Sequence, residues 1–252
     1  MTAGAVRFVR YAYPPNALGY CGPSDSLALF EYATSQVSDG GLAVLARDFE
    51  GAWPYLELIA HANGKDPLAG DVVEAYWIGN RLLDRVDISS FGHAMEERFR
   101  SRAGRSWDAL VDAVVSGIGP HHGFHVFCVY PWVGLMRTGS VSQPLQILDR
   151  CRIRWGTVQL VQGDRALVAS QGLVFERDAL ALGSERVEEV AWARDGHGFS
   201  EDLQPGDLVS MHWDWVCERI PAQAVDALRR GTDLALGLAN QLLARPHTGV
   251  LV

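Results

Sequence analysis

The pattern of apolar and polar positions changes near Ser140. Before that point apolar residues recur at helical spacing, and after it they alternate at period two. Leu27, Phe30 and Ala33 predict a helix that Ser24 or Asp25 caps and that runs to about Ser35. A second helical stretch begins after Ser38-Asp39, is interrupted by Pro54 and resumes from Leu56 to His61. Asn63-Gly64-Lys65-Asp66-Pro67 reads as a break. Leu68 to Val86 then predicts one helix with Val72, Val73, Tyr76, Leu82 and Leu83 towards the core, and Asp87–Arg102 and Trp107–Val115 predict two more. The first 23 residues are expected to be irregular, because Pro14, Pro15, Gly19 and Gly22 oppose a regular helix. Their tyrosines predict packing against the body of the protein.

Beyond Ser140, Pro144 to Asp149 predicts a short connecting helix. Strands follow at close spacing: Cys151–Trp155 running into Gly156–Val161, then Ala166–Ser170, Gly172–Glu176, Val187–Trp192 and Leu208–His212. Gln162-Gly163-Asp164-Arg165 is a tight hairpin signal. A last helix starts after Ile220, with Pro221 at its first position, and runs to about Ala244. So small a sheet is best stabilised by closing its edges. The expected fold is therefore α+β: a mainly helical N-terminal domain, residues 1–145, followed by a small OB-like β-barrel with a C-terminal helix, residues 146–252. In the last strand Val209 and Met211 share one face, and Ser210 and His212 share the other.

Composition narrows the function. The 252 residues carry 22 basic and 30 acidic side chains, a net charge of -8, which argues against a general nucleic-acid binder. There is no apolar run long enough for a membrane span and no secretory signal pattern, so a cytoplasmic protein is expected. Cys21, Cys128, Cys151 and Cys217 are far apart, form no CxxC pair, and are expected to be free thiols. No nucleophile–base triad, phosphate-binding glycine loop or dinucleotide fingerprint is recognisable, which disfavours hydrolases and nucleotide enzymes.

Metal-ligating residue types are more informative. On an α-helix His121, His125 and Cys128 would share a face and could bind a transition metal. The alternative is a polar helix start running into a buried aromatic segment with a core cysteine. Glu57 with His61, and His93 with Glu97, are four apart on predicted helices, the spacing from which bundles build di-iron sites; exposed helix-face pairs have the same spacing. Cys21 sits in a constrained Tyr20-Cys21-Gly22-Pro23 loop, either as a ligand or as a buried thiol.

The segment 151–228 resembles the HypC/HupF family of small iron chaperones that assemble the active site of [NiFe] hydrogenases. Gly206-Asp207-Leu208-Val209-Ser210-Met211-His212 matches that family's last strand, and Trp215 takes the place of the aromatic residue that follows it. Ile220 matches the apolar residue before the helix, and Cys151 with Gly156 keeps the cysteine-to-glycine spacing of the family's opening. The resemblance implies that Cys151 and His212 hold iron as an Fe(CN)2CO unit. It also implies a hydrogenase large subunit, or other hydrogenase maturation proteins, as partners. This chain departs from the family in having its cysteine internal, Trp155 in place of a proline, Arg152 and Arg154 in place of small or apolar residues, and Asp214 in place of a glycine.

Two other functions remain open from sequence: a metal-dependent redox enzyme of the helical domain, and a non-catalytic hydrogenase-binding scaffold. If Cys151 and His212 ligate one iron, their donor atoms should approach to about 4–5 Å, since ligand bonds are near 2 Å. Whether Cys21, His125 or Cys128 joins them is open.

Overall fold

Helix α1 (Thr2–Ala17) opens the chain, where sequence predicts an irregular segment. In this computed structural model, which describes residues 2–103, 111, 114, 115 and 117–245, Pro14 and Pro15 fall in the last turn of that helix. A proline there removes hydrogen bonds only from the carbonyls one turn back. One of those, at Tyr11, is met instead by His212 Nδ1 at 2.6 Å. The helix then stops at Gly19, which adopts φ +76°. The expected packing is found: Tyr11 and Tyr13 are buried.

Helices α2 (Ser26–Ser35), α3 (Gly40–Arg47) and α4 (Trp53–Asn63) follow the sequence pattern closely. Asp25 and Asp39 cap the first two through their carboxylates, and Gly64 closes the third in the left-handed region. The helix expected from Leu68 to Val86 is shorter. α5 (Gly70–Trp77) ends before Gly79, whose φ of +95° takes the chain out of the helix, and a 3-10 turn at Leu83–Arg85 leads to α6 (Ile88–Ala103). The helix expected over Trp107–Val115 lies mostly outside the described residues.

A single α-helical turn, His122–Phe124, runs into a π-helix, His125–Val129. Two short helices follow, α7 (Trp132–Arg137) and α8 (Ser142–Cys151). Cys151 is thus the last residue of a helix and does not begin a strand.

The C-terminal part is a mixed five-stranded sheet. Its strands are β1 (Arg154–Gln162), β2 (Arg165–Glu176), β3 (Ala179–Ala191), β6 (Leu208–His212) and β7 (Trp215–Arg219), with a small separate hairpin of β4 (Ala193–Arg194) and β5 (His197–Gly198). The order β1-β2-β3-β7-β6 closes where β6 returns to pair with β1. All neighbours are antiparallel except β3 and β7, which meet in parallel at Ala191 and Trp215. Helix α9 (Ala222–Ala244) ends the described chain, with Pro221 at its N-cap.

The alternation along β6 separates two apolar clusters. Val209 and Met211 join Val158, Val168, Val190 and Val216 inside the ring of strands. Ser210 and His212 face α1: the Ser210 hydroxyl and His212 Nδ1 both bond to Tyr11, at its hydroxyl and its carbonyl. The larger cluster extends from α1 through Cys151 and Trp213 to α9, so helices from the first half pack directly on the outside of the sheet.

The close approach of α1 to α5 depends on Gly4. A Cβ there would overlap the Leu68 carbonyl and lie 2.7 Å from the Gly70 nitrogen, both rigid backbone. Gly4→Ala improves helix propensity by about 1 kcal/mol. It is nevertheless expected to destabilise the protein by about 1–3 kcal/mol through overpacking. Urea denaturation of the two proteins checks the sign; a stabilised variant would contradict the packing described.

Candidate metal centre

Three donors reach one point from separate elements. His212 ends β6, Cys151 ends α8, and His122 begins the one-turn helix. One nitrogen of each histidine and the Cys151 sulfur all lie within 4.8 Å of one another, and the three side chains are buried. The two imidazoles are 5.1 Å apart at their centroids, and Trp77 packs against both, at 4.6 Å and 5.6 Å.

Each donor is fixed by its own surroundings. The end of α8 is tied to β2: the Asp149 carboxylate accepts from Arg152 and from the Leu173 backbone N–H at 2.9 Å, while Arg152 also donates to the Gln171 carbonyl at 2.5 Å. The β6–β7 turn after His212 is built around Trp213, whose φ of +53° is strained for a bulky side chain. Its N–H donates to the Arg150 carbonyl at 2.7 Å, and its own carbonyl accepts from the fully buried Arg154. Arg154 also pairs with Glu188, which bonds to Ser170 and Arg150 as well; Arg150 pairs in turn with Asp214. Arg152, Arg154 and Asp214 thus form part of the supports of this site.

Protonation follows from the hydrogen bonds. His212 Nδ1 faces a carbonyl, which only accepts, so it carries the proton and Nε2 has the lone pair. Nε2 is buried and has no hydrogen-bond partner. His122 Nε2 donates to the Cys151 carbonyl at 2.8 Å, and its Nδ1 accepts from the Tyr76 hydroxyl at 3.2 Å. Burial pulls the His122 pKa well below the ordinary imidazole value and His212 to about 4, so both rings are neutral at pH 7. Burial likewise pushes the Cys151 thiol far up, so without a cation it stays protonated. Two imidazoles and one thiol form a donor set suited to a transition metal, and the orphaned Nε2 is a lone pair without an alternative use.

The donors border a cavity of about 160 Å3 whose walls include Tyr20, Cys21, Trp77, Tyr130, Trp132 and Trp213. Tyr20 stacks on Trp213 at 4.3 Å. Asn16 secures the Tyr20-Cys21 loop by donating to the carbonyls of Cys21 and Pro23 at 2.7 Å and 2.6 Å.

A family model described as a family of unknown function, DUF6390, matches residues 1–246. The chain belongs to the DUF6390 family. No curated protein and no solved structure matches it.

In this DUF6390 chain the expected proximity of Cys151 and His212 is present, within the 4–5 Å range anticipated. The expected face of His121, His125 and Cys128 is not formed, because the segment is α-helical for only one turn and then π-helical. His121 is the N-cap residue; its Nδ1 accepts from the Gly123 N–H at 2.9 Å, and its ring lies beside Gly231 on α9, away from the cavity. His125 lines the cavity and its Nδ1 bonds to the Tyr55 hydroxyl at 3.1 Å. Cys21 also lines it, with burial raising its thiol to about 11. Cys128 is half-buried and is not part of the cavity wall; burial raises its thiol to about 12. The pairs Glu57–His61 and His93–Glu97 lie on exposed helix faces, and neither belongs to a three-donor group among the described residues.

Sequence reasoning missed His122. Its only local signal was its place beside His121, because consecutive residues of a helix point about 100° apart. Among the described residues no helix is long and apolar enough to cross a membrane.

Proposed function

We propose that this protein binds a transition-metal ion at His122, Cys151 and His212, and that it carries iron, as an Fe(CN)2CO unit, in [NiFe] hydrogenase maturation. The observation that carries the metal reading is the convergence of three buried donors, one of them with no other hydrogen-bond partner. The iron and hydrogenase reading draws on the resemblance of 151–228 to the HypC/HupF chaperones. Two of the three donors are the residues that resemblance singles out, and the closing order of the five strands is compatible with an OB-like barrel.

The chain's own groups supply the binding chemistry. His212 offers its free Nε2 lone pair, His122 would give up one of its two hydrogen bonds, to the Tyr76 hydroxyl or to the Cys151 carbonyl, to offer a nitrogen, and Cys151 would become a thiolate by releasing its proton as the cation arrives. Three protein donors would leave further coordination positions for the cyanide and carbonyl ligands that travel with the iron, and the donors adjoin a cavity lined largely by aromatic side chains. A carrier must also release its cargo, which an incomplete protein shell favours.

Anaerobic titration of the metal-free protein with Co2+ as a spectroscopic probe tests the site. One equivalent should bind and give a thiolate-to-cobalt charge-transfer band in the near ultraviolet. Cys151→Ala should abolish that band, and His122→Ala or His212→Ala should weaken binding by at least about 100-fold, more than loss of a merely supporting group. His121→Ala should leave binding unchanged. A band that survives Cys151→Ala would overturn the assignment. For the cargo, infrared spectra after co-expression with a hydrogenase assembly system should show cyanide and carbonyl stretches that vanish in the Cys151→Ala/His212→Ala variant; their absence from the parent protein would leave a metal binder with a different cargo.

A further inference from the structure

We propose that Pro14 and Pro15 are positioning residues for His212: by stripping the Tyr11 carbonyl of its helical donors, they make it the acceptor that fixes the imidazole tautomer and turns the Nε2 lone pair to the metal site. In an α-helix the carbonyl of residue 11 would accept from the N–H of residue 15, and in a tighter 3-10 turn from that of residue 14. Both positions are proline, which has no N–H. Tyr11 is therefore the residue of α1 that loses both intrahelical donors, and it does so while fully buried. A buried carbonyl without a partner is costly, and water does not reach this one.

His212 Nδ1 lies 2.6 Å from that oxygen and fills the gap. Because a carbonyl only accepts, the neutral ring must carry its proton on Nδ1 and its lone pair on Nε2. The carbonyl is itself held at a set distance from β6, since the Tyr11 hydroxyl bonds to Ser210 at 2.8 Å and to Glu218 at 2.6 Å. Tyr11 of α1 thus holds β6 through both its hydroxyl and its carbonyl, and the proline pair decides what its main chain offers. This is a backbone version of the outer-shell hydrogen bond that orients metal-ligating histidines. Its use for metal rests on the reading above, but the tautomer does not.

Nitrogen-15 NMR of histidine-labelled, metal-free protein reads the tautomer directly. The parent should show His212 protonated at Nδ1. Pro14→Ala/Pro15→Ala returns both helical donors to the Tyr11 carbonyl, so the Nε2-protonated form should appear, and Co2+ affinity should fall about 10-fold, the lower end for loss of an outer-shell partner. Alanine favours the helix, so prolines of purely structural use would predict equal or higher stability with tautomer and affinity unchanged. That result would overturn the proposal, as would an Nε2-protonated His212 in the parent. Pro15→Ala alone, which returns only the α-helical donor, gives the same readout if the double variant does not fold. Should the parent bind no Co2+, the metal reading fails, and the tautomer shift still decides this one.

Discussion

Acidifying the metal-free protein from pH 7 to pH 5.5 is expected to remove much of its stability. Four histidines are buried: burial lowers His121, His125 and His212 to about 4, and His122 well below its ordinary value. In the unfolded chain each takes up a proton near pH 6.5. Between the unfolded and folded values the unfolded state binds more protons, so stability falls as pH falls. It is fully present above about pH 6.5 and drains towards pH 4 and below. Each group contributes up to about 1.4 kcal/mol per pH unit in that window, and the four together up to about 5.5 kcal/mol per unit. Against a total stability on the order of 5–15 kcal/mol, that suffices to unfold the protein in mild acid. Urea midpoints at pH 7.5, 6.5 and 5.5 measure it. The midpoint should fall steeply over the last step. A midpoint that stays level from 7.5 to 5.5 would mean the four rings are not buried as neutral groups.

Replacing Arg154 by alanine is expected to cost about 3–5 kcal/mol, the usual penalty for breaking one side of a buried ion pair. Arg154 is wholly inaccessible and connects the Glu188 carboxylate to the Trp213 carbonyl. Burial alone would raise the Glu188 carboxyl, but Arg154 together with Ser170 and Arg150 holds it below its usual range. Without the guanidinium, the Glu188 carboxylate keeps only Ser170 and the partly exposed Arg150, and the carbonyl of the strained Trp213 loses its side-chain donor. Arg154→Lys should recover little, since one ammonium cannot reproduce the two-pronged geometry. Arg154→Met combined with Glu188→Gln should recover more, because it removes the stranded charge. Urea denaturation at pH 7.5 gives the three values. A loss below about 1 kcal/mol for Arg154→Ala would show that the network is solvated and does not brace the β6–β7 turn.

The two effects have one origin. The ionisable side chains of the site are buried, so each is either paired or held away from its ordinary titration range. Supports such as Asp149–Arg152 and Arg154–Glu188 keep Cys151 and His212 in register. The neutral rings and protonated thiol avoid burying charge at the site.

Sequence by itself determined the features that depend on neighbours along the chain. A cap at Ser24 or Asp25, a helix beginning after Ser38-Asp39, the hairpin at Gly163, a last helix starting at about Pro221, and the split of Val209 and Met211 from Ser210 and His212 all rest on local dihedral preference or period-two alternation; the structure places the cap at Asp25, Pro221 one position earlier as the N-cap, and the rest as expected. Sequence also singled out Cys151 and His212 as a pair, through motif resemblance. Tertiary structure alone decided the rest. Pro14 and Pro15 by themselves predict a break, but their cost depends on where in the helix they fall and on a histidine nearly 200 residues away that satisfies the stripped carbonyl. The choice of His122 over His121 and His125 depended on a change from α- to π-helix within eight residues, which rotates side chains off any face a uniform period would assign. Which ring met Cys151 was set by packing of that segment against α5, α8 and α9, long-range contacts that no local pattern encodes.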